Sequence, residues 1–256
     1  MKSEYPRKLF LLGGYDLEML TIRQMLEGRH GCEVIDRHLR WDNARLSAYQ
    51  HELQQYADNV FYGIELKEDI PLPAHYVRID HHNEWNDNPS ALEQVADILG
   101  VTLDRYQRLV AANDKGYIPA MTALGASEDE IARVRRKDRA AQGVTAEDER
   151  LAEQSVINHL TRYGDMLVVR SLTPRFSPIC DRLFPYRRLL VYTDTELMFY
   201  GEGKVSWVGL YADEISRGKM FHGGGDNGYI GTVAYAYGKE QINQFVEQII
   251  YKYVCL

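Results

Sequence analysis

The N-terminal part of the chain alternates short β-prone apolar runs with stretches of helical periodicity. The apolar runs predict strands at residues 8–12, 33–35, 60–64 and 76–79. Between them, residues 17–27 and 43–56 carry apolar side chains at spacings of three and four, which predicts helices that cross over between strands. Alternating strands and helices are typical of a parallel sheet with helices on both faces, so this part is predicted to be α/β.

After the fourth strand, the segment NDNPSALEQVADILG carries helix-start and helix-stop residues at its two ends. Asn88 can cap a helix, Pro89 suits the first helical position, and Gly100 suits the residue just past the end. A second helix is predicted over about residues 103–112, and Asp114 follows at its end. These two helices complete the predicted first domain.

A highly charged segment with few apolar residues comes next. Ser127 and Glu130 have the spacing of a capping box, which predicts the start of one helix, and Thr145 is a suitable cap for another. We interpret residues 126–162 as a solvated helical connector. The first domain then comprises residues 1–125.

From residue 163 onward the pattern changes to short β-prone runs broken by Gly, Pro and Asp. The runs are MLVVRSL, RRLLVYT, ELMFYG and VSWVGLY, and an amphipathic helix over about residues 241–253 closes the chain. This pattern predicts a smaller α+β domain over residues 163–256.

Length and charge narrow the classes of function. With 256 residues and 45% hydrophobic composition, the chain is long enough for one large or two small domains. A formal net charge of −7 argues against binding to long nucleic acids, because such binding neutralises phosphates with Lys and Arg. The basic run at residues 133–137 lies among acidic residues, so we assign it no function. A small phosphorylated substrate remains compatible with this charge.

The sequence carries no sign of a membrane or disulfide-rich protein. No apolar run is long enough to cross a bilayer, and the N-terminus lacks the apolar stretch of a secretory signal, so we expect a soluble, cytoplasmic protein. Cys32, Cys180 and Cys255 are far apart and odd in number, so we expect free thiols.

Side chains that could bind a metal follow the predicted strands. They are Asp16 and Glu18 after the first strand, Glu65 after the third, Asp80, His81 and His82 after the fourth, and Asp114 further on. In an open parallel sheet, loops at the carboxyl ends of the strands converge on one crevice. Carboxylates packed together there repel one another unless a cation is bound. Oxygen ligands with one or two imidazoles suit Mn²⁺ or Mg²⁺, and we favour manganese.

The segment VRIDHHN, at the end of a predicted strand, resembles the signature of the DHH phosphoesterase superfamily. Other segments are similar to the family motifs and occur in the family order: GGYDLEM with Asp16 and Glu18, YGIEL with Glu65, and NDKGYI with Asp114. Downstream, SRGKMFHGGGDNGYIGT resembles the glycine-rich segment of the family's C-terminal domain. These matches span residues 13–231.

The resemblance implies a metal-dependent hydrolase of a phosphoester or phosphoanhydride bond, with one or two ions of Mn, alternatively Mg. It implies a small phosphorylated substrate, such as a nucleotide or a short single-stranded oligonucleotide. The implied metal ligands are Asp16, Glu18, Glu65, His81 and Asp114. Asp80 would orient the neighbouring histidine, and His82 would face the substrate phosphoryl group. The expected substrate-binding residues in the C-terminal domain are His222, Gly223, Gly224, Gly225, Asp226 and Arg170.

The sequence departs from the family pattern at three points. Leu12 stands where the family commonly has a histidine ligand, and Glu18 and Glu65 replace aspartates. In the glycine-rich segment, Asp226 occupies the usual histidine position, with His222 displaced to its N-terminal side. These departures leave open the number of ions, and they leave a non-catalytic phosphate or nucleotide sensor on the same fold as an alternative.

Structural roles and one other enzyme class are also open. Asp16 and Glu18 could be favourable charges in the first turn of a helix, and the three successive glycines could form a hairpin connection. A dinucleotide-binding oxidoreductase is a further alternative, because Gly13 and Gly14 follow the first strand and Asp36 lies at the distance of a ribose-binding acid. The fingerprint G-x-G-x-x-G is missing, which argues against this class.

Overall fold

A computed structural model describes residues 7–254 of the chain, with two compact units. Unit 1 ends at Gly143 and unit 2 begins at Val144, so the boundary lies inside the predicted connector. The first of the two helices predicted there belongs to unit 1 and the second to unit 2. Neither Cys32 nor Cys180 forms a disulfide, and Cys255 lies outside the described residues.

Unit 1 is built on a four-stranded parallel sheet with the strand order β2-β1-β3-β4. The strands are β1 (Lys8–Leu12), β2 (Cys32–Ile35), β3 (Val60–Ile64) and β4 (Tyr76–Ile79), as the apolar runs predict. The helices are α1 (Leu17–Leu26), α2 (Gln50–Gln55), α3 (Ala91–Leu99), α4 (Arg105–Ala123) and α5 (Glu128–Ala141). Short 3₁₀ turns at Leu46–Tyr49 and Asn83–Trp85 complete the unit.

Each face of this sheet packs against its own apolar core, since alternate side chains of a strand point to opposite faces. Phe10 and Leu12 pack in one core, which includes apolar residues of α1, α3, α4 and α5. Leu9 and Leu11 pack in the other, against Leu46 and neighbours in the segment that contains α2. The predicted α/β architecture with helices on both faces is confirmed.

Two helix boundaries in unit 1 differ from the prediction: the start of α3 and the end of α4. Helix α3 begins after Ser90, because Ser90 accepts from Glu93 N and Glu93 accepts from Ser90 N in a complete capping box. Asn88 instead donates its side-chain amide to the Asp80 carbonyl oxygen. Helix α4 consists of two helical stretches joined at a kink, where Gly116 and Tyr117 have non-helical dihedral angles. The first stretch runs slightly beyond the predicted end at residue 112, and Asp114 lies in its last turn, at the end of a helical stretch as predicted.

Unit 2 contains a six-stranded mixed sheet with the order β5-β6-β7-β8-β10-β9, in which β6 and β7 are parallel and the other pairs antiparallel. The strands are β5 (Leu160–Tyr163), β6 (Met166–Arg170), β7 (Arg188–Tyr192), β8 (Leu197–Gly201), β9 (Met220–Gly223) and β10 (Tyr229–Thr232). The helices are α6 (Ala146–His159), α7 (Ser177–Leu183), α8 (Lys204–Leu210), α9 (Ala212–Ser216) and α10 (Lys239–Val254). Within the described residues, no helix is long and apolar enough to cross a bilayer.

The prediction of a strand at VSWVGLY is wrong, because this segment forms helix α8. Its residues Trp207, Val208 and Tyr211 recur at helical spacing and pack in a core of unit 2, where Trp207 is almost fully buried. A short β-prone apolar run fits a strand and a buried helix equally well, and tertiary packing decides between them.

Candidate metal centre

The sheet of unit 1 places the predicted site residues at one edge. Leu12, Ile64 and Ile79 are neighbours in register at the carboxyl ends of β1, β3 and β4. The segments that follow these strands carry Asp16 and Glu18, Glu65, and Asp80 to His82. Parallel strands therefore bring side chains from three distant parts of the sequence to the same edge.

A close backbone approach brings the first two of these segments together. A Cβ atom on Gly13 would overlap the carbonyl oxygens of Ile64 and Glu65, so only glycine lets the loop after β1 pass the end of β3. Glu65 itself has a φ of 52°, in the left-handed region that a glutamate adopts only at a cost. This backbone conformation is held by the surrounding sheet, with Glu65 N donating to the Ile79 carbonyl at 2.8 Å.

His81 lies at the centre of a group of carboxylates. Its Nε2 atom is 2.6 Å from Asp114 Oδ2, 3.1 Å from Glu65 Oε1 and 3.8 Å from Glu18 Oε2. Ligand atoms of Glu65, His81, His82 and Asp114 all lie within 4.8 Å of one another. Potential ligands from the ends of β3 and β4 and from α4 are therefore close enough to share one cation.

The chemistry of this group fits a divalent cation. The side chains of Glu18, Glu65 and His81 are at most 4% exposed. Several buried atoms have no hydrogen bond of acceptable geometry: Glu18 Oε2, both Glu65 carboxylate oxygens, His81 Nε2 and Asp114 Oδ2. Buried polar atoms normally have partners, and leaving them without any is costly. Unpaired oxygens around one imidazole nitrogen are a suitable ligand set for Mn²⁺ or Mg²⁺.

The protonation equilibria also reflect this concentration of negative charge. Burial, with repulsion from Asp114, raises the pKa of Asp16 to about 7. Burial also raises the pKa of Asp114 to about 6 and that of Glu65 well above its usual range. Burial by itself disfavours the imidazolium, but the nearby carboxylates of Asp114, Glu18 and Glu65 raise the pKa of His81 to about 12. One imidazolium offsets only part of the charge of four carboxylates, which a divalent cation would balance.

Asp16 and Glu18 each have a structural contact of their own. Asp16 caps α1, with its Oδ1 accepting from Met19 N at 2.9 Å. Glu18 Oε1 accepts from Leu92 N in the first turn of α3 at 3.0 Å, while its Oε2 faces His81. The expected helix-terminal role of Asp16 is therefore present, and Glu18 uses one oxygen to hold α3 and directs the other to the site.

The Asp80 carboxylate contacts the backbone N–H and the imidazole ring of His82. Its Oδ1 accepts from His82 N at 2.8 Å and lies 3.3 Å from His82 Nδ1. The His82 side chain is 42% exposed, and its Nδ1 is 3.9 Å from Glu65 Oε1. His82 therefore lies at the accessible side of the group, while His81 lies inside it.

Two positions that the sequence left open have purely structural contacts. Leu12 is fully buried in the core and its carbonyl accepts from the Tyr49 hydroxyl at 2.6 Å, so it offers no ligand in place of a histidine. Asp36, the candidate ribose-binding acid, lies 3.3 Å from the Arg23 guanidinium and accepts from His38 N. Its carboxylate is thus already engaged by the protein.

In unit 2, the glycine-rich segment forms the hairpin between β9 and β10, with Gly223 paired to Tyr229. His222, Gly224, Gly225 and Asp226 are exposed. The almost fully buried Lys204 donates from its ammonium to the Gly225 carbonyl at 2.6 Å, a contact that no sequence motif indicated.

Arg170 lies away from this hairpin. Across the sheet, Arg170 is in register with Tyr192 of β7 and, through it, with Leu197 of β8. Gly223 is in register, through Tyr229, with Tyr200 of β8, which lies three residues after Leu197. Three residues of a strand span about 10 Å. The Arg170 guanidinium pairs with Asp194 at 2.9 Å. The structure thus groups five of the six expected substrate-binding residues in one hairpin and places Arg170 at the other end of the sheet.

A buried ionic network next to the candidate metal centre was missed by the sequence reasoning. Arg135 of α5 donates to Asp138 at 2.7 Å and to Asn113, the neighbour of Asp114, at 3.0 Å. Asp138 in turn accepts from Leu17 N at 3.4 Å, and the guanidinium lies 4.5 Å from the Tyr117 ring. Helix α5 therefore holds the start of α1 and the break of α4. The apolar residues of α5, such as Ile131 and Val134, indicate that one face of this helix is buried. A sequence does not show whether a charged residue lies on that buried face or on the surface.

We expect Arg135→Met to lower the free energy of unfolding by about 3 kcal/mol, because it leaves the buried Asp138 carboxylate without its cation. Urea denaturation followed by circular dichroism measures this change. Arg136→Met is the matched control, since Arg136 is an exposed neighbour on the same helix and its loss should cost less than about 0.5 kcal/mol. Equal destabilisation by the two variants would contradict a stabilising network at Arg135.

Comparisons with known proteins show the fold. No protein-family model matches the chain, and the search of curated proteins finds no match. Among solved structures, the chain is similar to a pGpG-specific phosphodiesterase, PggH from Vibrio cholerae, with a TM-score of 0.50 and 14% identity over 96% of this chain and 98% of that one. It is similar to the DHH domain of a member of the s1p family of ribosomal proteins (TM-score 0.49, 11% identity, 95% and 87% covered). A third similar structure is exonuclease RecJ bound to manganese (TM-score 0.42, 9% identity, 96% and 90% covered).

The similarity to the phosphodiesterase extends over nearly the whole of both chains, so the two share one fold. The fold expected from the resemblance of VRIDHHN to DHH phosphoesterases is therefore confirmed. At this low identity, the chain is a divergent representative of that fold.

Proposed function

We propose that this chain is a metal-dependent hydrolase of a phosphoester or phosphoanhydride bond in a small phosphorylated substrate. The observation that carries the proposal is the convergence of Glu18, Glu65 and Asp114 on His81, with buried ligand atoms that lack hydrogen bonds. A group of this kind destabilises a fold unless it binds a cation, so its presence favours a metal-dependent activity.

The residues that would hold a cation are Glu65, His81 and Asp114, with the free oxygen of Glu18. When bound, one or two divalent ions would supply Lewis acidity, lowering the pKa of a water and neutralising charge on phosphoryl oxygens. We favour Mn²⁺, with Mg²⁺ as the alternative, because the ligand set is rich in oxygen and contains imidazole. Asp16 would serve a second ion, for which Leu12 offers no ligand.

His82 is the residue of this chain that would contact the substrate. With Nδ1 directed to Asp80, its Nε2 atom can hold or deliver a proton at a phosphoryl or leaving-group oxygen. Its exposure of 42% allows a substrate to reach it, whereas the 4% exposure of His81 does not. Asp80 would keep the imidazole in one orientation, as carboxylates do for catalytic histidines.

The substrate class that we propose is a nucleotide or a short single-stranded oligonucleotide. The net charge of −7 disfavours long nucleic acids, and a protein of the same fold is named for its specificity for the dinucleotide pGpG. In unit 2, the exposed glycine-rich hairpin would bind substrate phosphate through backbone N–H groups, with His222 and Asp226 beside it. Arg170 is a less suitable candidate, because its guanidinium is paired with Asp194.

A metal titration tests the proposal. Protein stripped with EDTA should gain stability when Mn²⁺ is added: at about 100 times the dissociation constant, the gain is about 2.7 kcal/mol. For a protein of this size this corresponds to a rise in Tm of roughly 5 to 10 °C. Differential scanning calorimetry measures the shift, elemental analysis measures the bound metal, and a screen of phosphorylated compounds identifies the substrate.

The alternative function, a non-catalytic phosphate or nucleotide sensor, is favoured by one observation. Leu12 is buried in the core, so the ligand that the family commonly has at this position is missing. Protein that binds no Mn²⁺ and hydrolyses no phosphodiester after manganese is added would support the sensor and contradict the hydrolase. Metal binding together with turnover would exclude the sensor.

A further inference from the structure

A cleft of about 570 Å³ in unit 1 opens beside the candidate metal centre. Glu65, Asp80 and His82 line it, so the cleft is continuous with the group that would bind the metal. Two of the three tryptophans of the chain, Trp41 and Trp85, also line it. The third tryptophan of the chain is buried in a core of unit 2. The cleft therefore presents two large aromatic side chains that take no part in the candidate metal centre.

Trp41 has an exposed indole that is nevertheless held in place. The residue is 50% exposed, and a Cβ atom on Gly14 would lie 2.8 Å from the indole, so the missing side chain of Gly14 makes room for the ring. The Trp41 ring centroid is 5.5 Å from that of His82. The flat apolar face of Trp41 therefore lies next to His82, the residue proposed to face the phosphoryl group.

Trp85 is fixed in a different way. The Arg78 guanidinium lies 4.5 Å from the Trp85 ring centroid, in the range of a cation–π contact. The same guanidinium forms a two-pronged ion pair with Glu68, one bond of which is 2.7 Å long. Arg78 therefore positions the ring of Trp85, while its charge is already neutralised by a carboxylate.

The part of the cleft away from the metal centre has no excess positive charge that would select a phosphate. Its charged lining residues balance, with two acids, Glu68 and Glu84, and two cations, Lys67 and Arg78, and the Arg78 guanidinium is paired with Glu68. An uncharged planar group needs no such excess. Pyrophosphate, which has no such group, would leave the two tryptophans without a role.

We infer that the cleft between the metal centre and Trp41 is a nucleobase subsite, which excludes a base-free phosphate as the substrate. This inference rests on the proposed function and locates the binding site for the base of its nucleotide substrate. The base stacks on Trp41, and the sugar directs its phosphate to His82 and the metal centre. Stacking of a base on an aromatic side chain is independent of its hydrogen-bonding pattern, so any base can occupy the subsite.

Nucleosides test this subsite without involving phosphate. Isothermal titration calorimetry with guanosine and with adenosine, in magnesium and again in EDTA, should show saturable binding under both conditions, and ribose should show none. Trp41→Ala should weaken nucleoside binding about tenfold, and Trp41→Phe should retain most of it, because a ring is what the base requires. Tyr251→Ala is the matched control, since it removes an exposed ring from unit 2.

Nucleoside binding that is absent, or that Trp41→Ala leaves unchanged, would overturn the inference. With a dinucleotide substrate, Trp41→Ala should raise KM about tenfold and affect kcat less, as expected for a residue that binds the base. If no phosphodiester is hydrolysed, the proposed function fails but the nucleoside titration still decides whether the subsite exists. If turnover occurs and Trp41→Ala alters neither KM nor nucleoside affinity, the subsite fails alone.

Discussion

Asp114→Asn is expected to lower metal-dependent hydrolysis by at least about a hundredfold while the protein still folds. Asp114 Oδ2 lies 2.6 Å from His81 Nε2, at the centre of the group, and the substitution removes the charge that a cation requires while it conserves the shape. Metal ions contribute several kcal/mol to stabilising a phosphoryl-transfer transition state, and each 1.36 kcal/mol corresponds to a factor of ten in rate. Steady-state kinetics with manganese, alongside elemental analysis, measures both consequences.

The control for this variant is Asp97→Asn, an identical change at an exposed position of unit 1. Calorimetry in EDTA separates loss of the metal from loss of the fold. Without metal, Asp114→Asn should be at least as stable as the parent protein, because one of four mutually repelling carboxylates has been neutralised. Full turnover by Asp114→Asn would contradict the metal centre, and a lower Tm in EDTA would mean that Asp114 is a structural residue.

His82→Ala is expected to reduce kcat about a hundredfold or more and to leave most of the bound metal in place. General acid or base catalysis by a positioned histidine contributes about 10² to 10⁴ in rate, and His82 is the more exposed member of the pair. Its Nδ1 is 3.9 Å from Glu65 Oε1, so its ligand atoms also lie within reach of a shared cation. The ratio of lost turnover to lost metal therefore distinguishes a substrate-facing residue from a ligand.

His51→Ala provides the comparison for this second variant, because it removes an exposed imidazole of unit 1 from α2, a helix that carries none of the candidate site residues. A loss of turnover and metal in equal proportion would make His82 a ligand. Retention of both would remove it from the site altogether. The Asp80→Asn variant should resemble a mild form of His82→Ala, since Asp80 Oδ1 accepts from His82 N and contacts its Nδ1.

Much of the fold could be predicted because apolar runs and helix caps are local signals. The strands of unit 1 lie where β-prone runs stand in the sequence, and the capping box of Ser127 and Glu130 begins α5 as predicted. The errors occurred where two local signals compete. Ser90 replaced Asn88 as the cap of α3, and VSWVGLY became a helix because its apolar residues are buried better at helical spacing.

The candidate site was predictable to a different degree. Motif resemblance named the residues, and the parallel sheet explains why the segments that follow β1, β3 and β4 share an edge. No pattern could predict that Glu18 uses one oxygen to hold α3, or that Asp80 contacts His82. Whether the named side chains act as the motif implies remains a prediction for the variants described above.

The sequence by itself determined the α/β character of unit 1, the order of its strands along the chain, and the set of acidic and imidazole side chains available at the strand ends. These follow from periodicity and residue type, which are local properties. Only the tertiary structure decided which atoms converge on His81, that Arg135 is buried next to the site, and that the Trp41 ring lies beside that of His82. Those contacts join residues far apart in sequence, and their formation depends on the packing of the whole unit, which no local pattern encodes.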